Sequence, residues 1–221
     1  PASLKFYDIN TIHGISMRET FSICKDKSGF IWSSSKTGIL RVTGDSYHIY
    51  RLPYKTTDIT FVKLIYGHSQ LIAYTNNGQL FSYNELYDRF DFLIDMREQL
   101  HNPYITLNNI VIDSSCGSLW IGSSDGLYTY SDNKLDAVKD KPYSVDYISF
   151  LNETLLFYAD YNTLEILDLE TSKSTLIYET QKGQFIQVSS CYFDKKNQTL
   201  WIGTFSHGLY IYDFKTHFFS E

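Results

Sequence analysis

The chain reads as all-β, a β-propeller of four-stranded antiparallel blades with about five blades present. Three observations carry that expectation. First, one motif recurs as Asp26 to Val42 (DKSGFIWSSSKTGILRV), Asp113 to Tyr130 (DSSCGSLWIGSSDGLYTY) and Asp194 to Tyr212 (DKKNQTLWIGTFSHGLYIY). Second, the period is that of a propeller blade. Gly38, Gly78, Gly126, Asn162 and Gly208 follow one another at steps of 40, 48, 36 and 46 residues, against about 40–50 for four-stranded blades. Third, the apolar alternation has period two, as in Leu127/Thr129 against Tyr128/Tyr130 and Leu209/Ile211 against Tyr210/Tyr212, which is the signature of half-buried strands.

Each repeat unit opens with a strand, as at Thr20 to Lys25, Asn109 to Asp113 and Ser189 to Asp194. A turn built from Asp, Lys, Ser, Asn and Gly follows, residue types that favour left-handed or Asx-type backbone. The second strand carries Trp32, Trp120 or Trp201, and the third follows Gly38, Gly126 or Gly208. Fourth strands vary more: Ser46 to Leu52, Lys173 to Tyr178 and Lys215 to Phe219. Two fainter copies fill the gaps. Leu71 to Tyr83 keeps Gly78 but has Ile72 at the Trp position; Leu155 to Leu167 has Leu156 there and Asn162 for the Gly. Asn is the residue after Gly that best tolerates positive φ. Leu93 to Leu100 is the one window with a short helical pattern.

The expected organisation is a single partial propeller over residues 1–221, with blades over 10–52, 53–93, 104–138, 144–178 and 184–221. Residues Leu4 to Asp8 read as an orphan outer strand. Such an orphan normally completes the last blade of a closed ring, yet the last blade already has four strands, so the expectation is an N-terminal piece of a larger propeller. Open strand edges are pairing hazards, and such a piece is expected to self-associate or lean on a neighbour.

Recurrence also decides how single residues are read. Asp26, Asp113 and Asp194 sit just after first strands and ahead of tight turns, where a carboxylate stabilises the turn; a catalytic acid would occur once, not in every strong repeat. Trp32, Trp120 and Trp201 are expected to pack between blades, with stacking on a sugar as the lesser reading. Gly38, Gly78, Gly126 and Gly208 are turn residues. The six histidines (13, 48, 68, 101, 207, 217) include no i, i+4 pair of the kind a helical zinc site needs. No nucleophile elbow or phosphate-cradling glycine loop occurs. No catalytic residue, metal or cofactor is assigned from these patterns, and the ligand-binding residues stay unassigned.

Composition fits a folded module. The 221 residues are 43% hydrophobic and 17% aromatic, with 19 Tyr and 15 Phe suited to sheet-on-sheet packing. No apolar run approaches the ~18 residues a spanning helix needs. A net charge of −6, with no basic cluster beyond Lys195–Lys196, gives no electrostatic footprint for nucleic acid or anionic lipid. Cys24, Cys116 and Cys191 have no metal-type spacing, leave one thiol unpaired, and read as small buried or half-buried side chains.

The repeat resembles the two-component regulator propeller motif of the extracytoplasmic region of Bacteroides-type hybrid two-component histidine kinases. The resemblance rests on His13-Gly14-Ile15, Asp26 with Gly29, Ile31-Trp32 and Thr37-Gly38-Ile39. It returns at Leu119-Trp120-Ile121-Gly122 with Asp125-Gly126-Leu127, and at Leu200-Trp201-Ile202-Gly203-Thr204 with His207-Gly208-Leu209. It implies about five blades of a seven-bladed propeller, in a periplasmic receptor that goes on to further propeller and β-sandwich regions, a membrane helix and kinase, receiver and DNA-binding modules. It further implies a non-catalytic sensory role answering to a glycan-derived oligosaccharide, in a receptor that is a homodimer. A protein-interaction scaffold and a propeller carbohydrate-active enzyme are the alternative readings.

Overall fold

The computed structural model describes residues 5–10, 17, 19–138 and 143–220. The chain divides into two compact units, Pro1–His101 and Asn102–Glu221.

The first unit holds two four-stranded antiparallel sheets. Sheet one runs β1 (Ser22–Lys25), β2 (Ile31–Ser35), β3 (Gly38–Thr43) and β4 (Ser46–Tyr50), each strand paired to the next in sequence. Sheet two repeats that order with β5 (Val62–Gly67), β6 (Gln70–Thr75), β7 (Gln79–Asn84) and β8 (Arg89–Asp95), followed by a single helical turn α1 (Met96–Gln99). The helix expected over Leu93 to Leu100 is therefore shorter, because Leu93 and Ile94 continue β8. Asp95 stops the strand and caps α1, its carboxylate accepting from the Arg97 N–H at 3.0 Å and the Glu98 N–H at 3.3 Å.

The second unit holds three sheets of the same up-and-down order. Sheet three is β9 (Leu107–Ile112), β10 (Leu119–Ser123), β11 (Gly126–Ser131) and β12 (Lys134–Ala137). Sheet four is β13 (Tyr147–Phe150), β14 (Leu155–Ala159), β15 (Thr163–Asp168) and β16 (Lys173–Glu179). Sheet five is β17 (Val188–Asp194), β18 (Thr199–Thr204), β19 (Leu209–Asp213) and β20 (Phe218–Ser220). The last strand is shorter than Lys215 to Phe219 suggested, since the Asp213 carboxylate holds Lys215 and Thr216 in a turn. Residues 5–8 carry no strand, contrary to the orphan expected over Leu4 to Asp8, and Leu4 lies outside the described residues.

Sheets pack face to face within each unit. In the first, Trp32, Ile39 and Tyr50 of sheet one meet Leu64, Phe81 and Phe90 of sheet two in one buried cluster. In the second, Leu127 and Trp120 of sheet three pack on Ile148, Leu156 and Tyr158 of sheet four. The opposite face of sheet four, with Phe157, Ala159 and Leu164, packs on Leu200, Ile202 and Tyr210 of sheet five. Leu156 therefore does not take the Trp position. Phe157 does: it pairs with Ile166 and lies six residues before Thr163, as Trp32 pairs with Arg41 six residues before Gly38, so Thr163 and not Asn162 takes the glycine position.

A polar clasp accompanies each of these three contacts. The Leu64 N–H on β5 donates to Ser22 Oγ on β1 at 2.6 Å. The Ile148 N–H on β13 donates to Asn109 Oδ1 on β9 at 2.9 Å, and Asn109 Nδ2 donates back to the Ile148 carbonyl. The Cys191 N–H on β17 donates to the Tyr147 hydroxyl on β13 at 3.2 Å. In each case a side-chain oxygen on one first strand satisfies a main-chain N–H on the next, a group that burial would otherwise leave unpaired.

Candidate functional site

The three recurring aspartates hold turns. Asp26 Oδ1 accepts from the N–H groups of Ser28 and Phe30, and its Oδ2 takes the Trp32 indole N–H at 2.7 Å. Asp113 accepts from the Ser115 N–H and hydroxyl. Burial opposes its ionisation, but the bonds from Ser115 and Cys116 prevail and its pKa falls. Asp194 accepts from Lys196 and Asn197, whose main-chain and side-chain N–H bonds lower its pKa. These carboxylates are committed to local structure.

The three tryptophans occupy one repeat position in different surroundings. Trp32 is 0% exposed, with Tyr50 and Tyr83 rings 5.3 and 4.8 Å away. Trp120 is half-buried, edge-on to Phe150 at 6.3 Å. Trp201 is 37% exposed, so inter-sheet packing does not describe it.

Gly38 opens β3 with φ +154°, where a Cβ would stand 2.8 Å from the Tyr50 carbonyl oxygen. Gly78 has φ +89° and lies against Met96 of α1. Gly126 opens β11 and Gly208 precedes β19. Asn162 is not in the left-handed region. Its turn is closed instead by Asp160, whose Oδ1 accepts from the Asn162 and Thr163 N–H groups at 2.6 Å each. Cys24 and Cys191 are half-buried thiols whose pKa values burial raises, Cys24 to about 11 with help from Asp26; Cys116 is exposed, against expectation.

Two polar constellations were not singled out by the sequence pattern. Between the two sheets of the first unit, Asp88 accepts hydrogen bonds from the hydroxyls of Tyr83 and Tyr50 and pairs with Arg41 at 2.9 Å. The guanidinium also lies over the rings of Phe30, Trp32 and Tyr50. The Tyr83 bond, set against a burial penalty, and then those from Tyr50 and Arg41 hold the Asp88 carboxyl down at about 2. This cluster fastens β3 and β4 to the β7–β8 turn.

The other constellation lines a groove of about 400 Å³ beside β8 and α1. Its walls include Lys55, Phe92, Asp95, Glu98, Gln99 and His101. The Lys55 ammonium stands 4.3 Å over the Phe92 ring and 3.1 Å from Glu98 Oε2. Behind it, the buried Gln79 carboxamide accepts from the Lys55 N–H at 2.7 Å and donates to Thr56 Oγ1 at 3.0 Å, fixing the segment that carries Lys55. Asp58 pairs with Arg97 at 2.6 Å and accepts from Asn77, and those two hydrogen bonds bring its pKa to about 2. A groove whose Phe92 ring is capped by the Lys55 ammonium and flanked by carboxylates and amides on a braced frame presents hydrogen-bonding groups of both signs. The asparagines and glutamine after β6 (Asn76, Asn77, Gln79) were the available signal, but nothing in the repeat ties them to a loop twenty residues earlier.

In the second unit, a water-sized cavity of about 20 Å³ lies among Tyr143, Ser144, Tyr158, Asp160 and Glu165. Adjacent Asp146 accepts through Oδ1 from Ser144 and Asn108. Burial raises its pKa, offset in part by Ser144 and reinforced by Asp160. Among the described residues, no group of three metal-ligating side chains converges and no helix is long and apolar enough to cross a membrane.

No family model matches the sequence, and no curated protein does. The fold does match solved structures. The extracellular domain of BT3049 from B. thetaiotaomicron, described as a hybrid two-component system, aligns over 93% of this chain at TM-score 0.69 and 18% identity. The extracellular domain of BT4673 from the same organism, described likewise, aligns over 91% at TM-score 0.68 and 22% identity. This chain spans 30% and 27% of those two chains. The β-propeller domain of Cps50 (Swd1) from Myceliophthora thermophila aligns over 91% of this chain and 72% of its own length, at TM-score 0.61 and 14% identity. Five four-stranded antiparallel sheets with these likenesses make the chain an all-β protein with the fold of a propeller piece.

Proposed function

We propose that this chain is a ligand-sensing part of the extracytoplasmic region of a hybrid two-component receptor, built from regulator-type propeller repeats. The observation that carries the reading is the coincidence of two independent signals. The Trp-bearing repeat around Trp32, Trp120 and Trp201 resembles the regulator motif in sequence, and the fold is similar to two extracellular domains of hybrid two-component systems over more than nine-tenths of the chain. The ligand class is a glycan-derived oligosaccharide, for which the groove offers the Lys55-capped Phe92 ring and the hydrogen-bonding groups of Lys55, Asp95, Glu98 and Gln99. The chain contributes recognition and no turnover, and phosphotransfer belongs to a separate kinase module of the receptor. The partners are the remaining propeller and β-sandwich regions of a homodimeric receptor. A ligand then acts by binding one arrangement of that dimer better than another.

Calorimetric titration of the receptor's whole periplasmic region with a panel of oligosaccharides tests this. Saturable heat with at least one glycan is expected, reduced tenfold or more in affinity by Phe92→Ala. Silence across the panel alongside tight binding of a protein would replace the reading with an interaction scaffold. Release of reducing ends would replace it with an enzyme.

A further inference from the structure

In the second unit, the up-and-down strand order puts every sheet's second turn and the links between sheets at one end. The first and third turns lie at the other. Main-chain hydrogen bonds of 2.8–3.0 Å tie the former set into a frame: the Val145 N–H donates to the Ser123 carbonyl, Asp146 to Ala159, Ile186 to Tyr161 and Phe205 to Gln187. The two ends differ in chemistry. Among the described residues, every large apolar side chain that a link or turn of this unit exposes lies at the framed end. The central three are Tyr143, Tyr161 and Phe185, which are 71%, 44% and 55% exposed. Sheet four packs between sheets three and five, so its turn and the links beside it are not laid open by an end of the chain.

These rings stand among carboxylates. Tyr143 lines the small cavity together with Asp160, Thr163 and Glu165, and Thr163 is paired across β15–β16 with the exposed Glu179. Tyr161 meets the link that carries Phe185, its carbonyl accepting from the Ile186 N–H at 2.8 Å. Around sheet four, the described residues of this end hold Asp146, Asp160, Glu165 and Glu179 against Lys182 as the one cation. Asp160 reinforces burial in raising the Asp146 pKa, so the negative charge here is felt from one group to the next.

We infer that this end of sheet four docks a basic segment of a separate protein, with arginine side chains stacked on Tyr143, Tyr161 and Phe185 and paired with Asp160 and Glu179. An aromatic face attracts a cation through its quadrupole, and a guanidinium adds a flat surface for stacking and a fork for carboxylates. Rings and acids thus call for the same partner. A neutral sugar would gain from the rings and nothing from four carboxylates set against one ammonium. Nucleic acid and anionic lipid would be repelled. A second copy of this chain, at net charge −6, would set like charge against like. Main-chain hydrogen bonds already hold these loops, so docking has little left to order. The inference goes beyond the sensory reading and does not rest on it.

Fluorescence anisotropy of a labelled hexa-arginine peptide, titrated with the 221-residue chain, tests it. Saturable binding is expected, with Kd on the order of 1–100 µM, and hexa-lysine should bind more weakly. Tyr143→Ala and Phe185→Ala, both at exposed positions, should each weaken hexa-arginine roughly two- to fivefold. Glu179→Gln should weaken it to a similar extent. Glu170→Gln should leave it unchanged, because Glu170 is also exposed but lies in the third turn of sheet four, at the opposite end. Equal losses in the two glutamine variants would reveal attraction to net charge alone and would overturn the inference. Absence of binding, or affinity indifferent to both alanine variants, would do the same. Binding by the chain but not by the receptor's whole periplasmic region would mean that the receptor itself covers this surface. Uptake of cellohexaose instead of the peptide, lost in Phe185→Ala, would make it a sugar site. Either result overturns the assignment to a separate basic protein.

Discussion

Trp32 and Trp201 occupy the same place in the same motif, yet one is 0% exposed and the other 37%. Each sits on a second strand directly after an aliphatic residue and ahead of a turn glycine, Gly38 or Gly208. What differs is the neighbour: sheet two lies over Trp32, and no described element lies over Trp201. The motif thus specifies which face of the sheet a large aromatic ring occupies, and burial of that ring is supplied by the next repeat. The same holds for the glycines of the paired Trp-Ile-Gly segments. A Cβ on Gly122 would stand 3.0 Å from the main-chain oxygen of Val145, while on Gly203 its nearest neighbours would be the side-chain hydroxyls of Ser190 at 2.9 Å and Ser189 at 3.3 Å.

Four substitutions would break or sharpen that comparison. Trp32→Ala should cost about 3–5 kcal/mol in chemical denaturation, by loss of a fully buried aromatic and the cavity left behind. Trp201→Ala in the same assay should stay within about 1 kcal/mol, as at other open surface positions. Equal losses at both sites would sink the idea that the neighbour confers burial. Next, Gly122→Ala should destabilise by about 1–3 kcal/mol, since a carbonyl fixed by its own hydrogen bond cannot retreat. Gly203→Ala should do less, because a serine rotamer can turn away.

Asp88→Asn should remove about 1 kcal/mol at neutral pH, a figure kept small because the carboxylate is half-exposed. Its folded pKa lies below the unfolded one, so this stabilisation is present above the unfolded value near 4 and fades as pH falls toward about 2. Wild type and variant should therefore converge in acid melts. Asp146→Asn should be the smallest effect and opposite in sign. The raised pKa means that the folded state favours the protonated carboxyl, so its contribution is present below the unfolded pKa and lost as pH rises through the folded one. At pH 7 the amide variant should melt at or slightly above wild type, with the gain shrinking toward pH 4.

The strands and their faces were legible in the sequence because they rest on local chemistry. Period-two alternation, the turn aspartates and the positive-φ glycines act within a few residues of one another. Sheet four shows where that reading slips. Its β14–β15 turn uses Asp160 to bind two N–H groups and carries no glycine, so nothing in the sequence marked Thr163 as the glycine position and Phe157, not Leu156, as the Trp position. The clasps were illegible because Ser22, Asn109 and Tyr147 share an oxygen atom in space and nothing in residue type. The groove was hidden for a related reason. Lys55 sits in an irregular link, held by Gln79 at the start of β7, and no periodicity connects the two.

A junction written as one oxygen opposite one main-chain N–H makes few demands on heredity. Duplication of the stretch encoding a single sheet delivers both halves of the joint together, already matched to the originals on either side. Afterwards serine can drift to asparagine or tyrosine without loss of fit, so a lengthening array can scatter its side-chain identities while every seam stays closed.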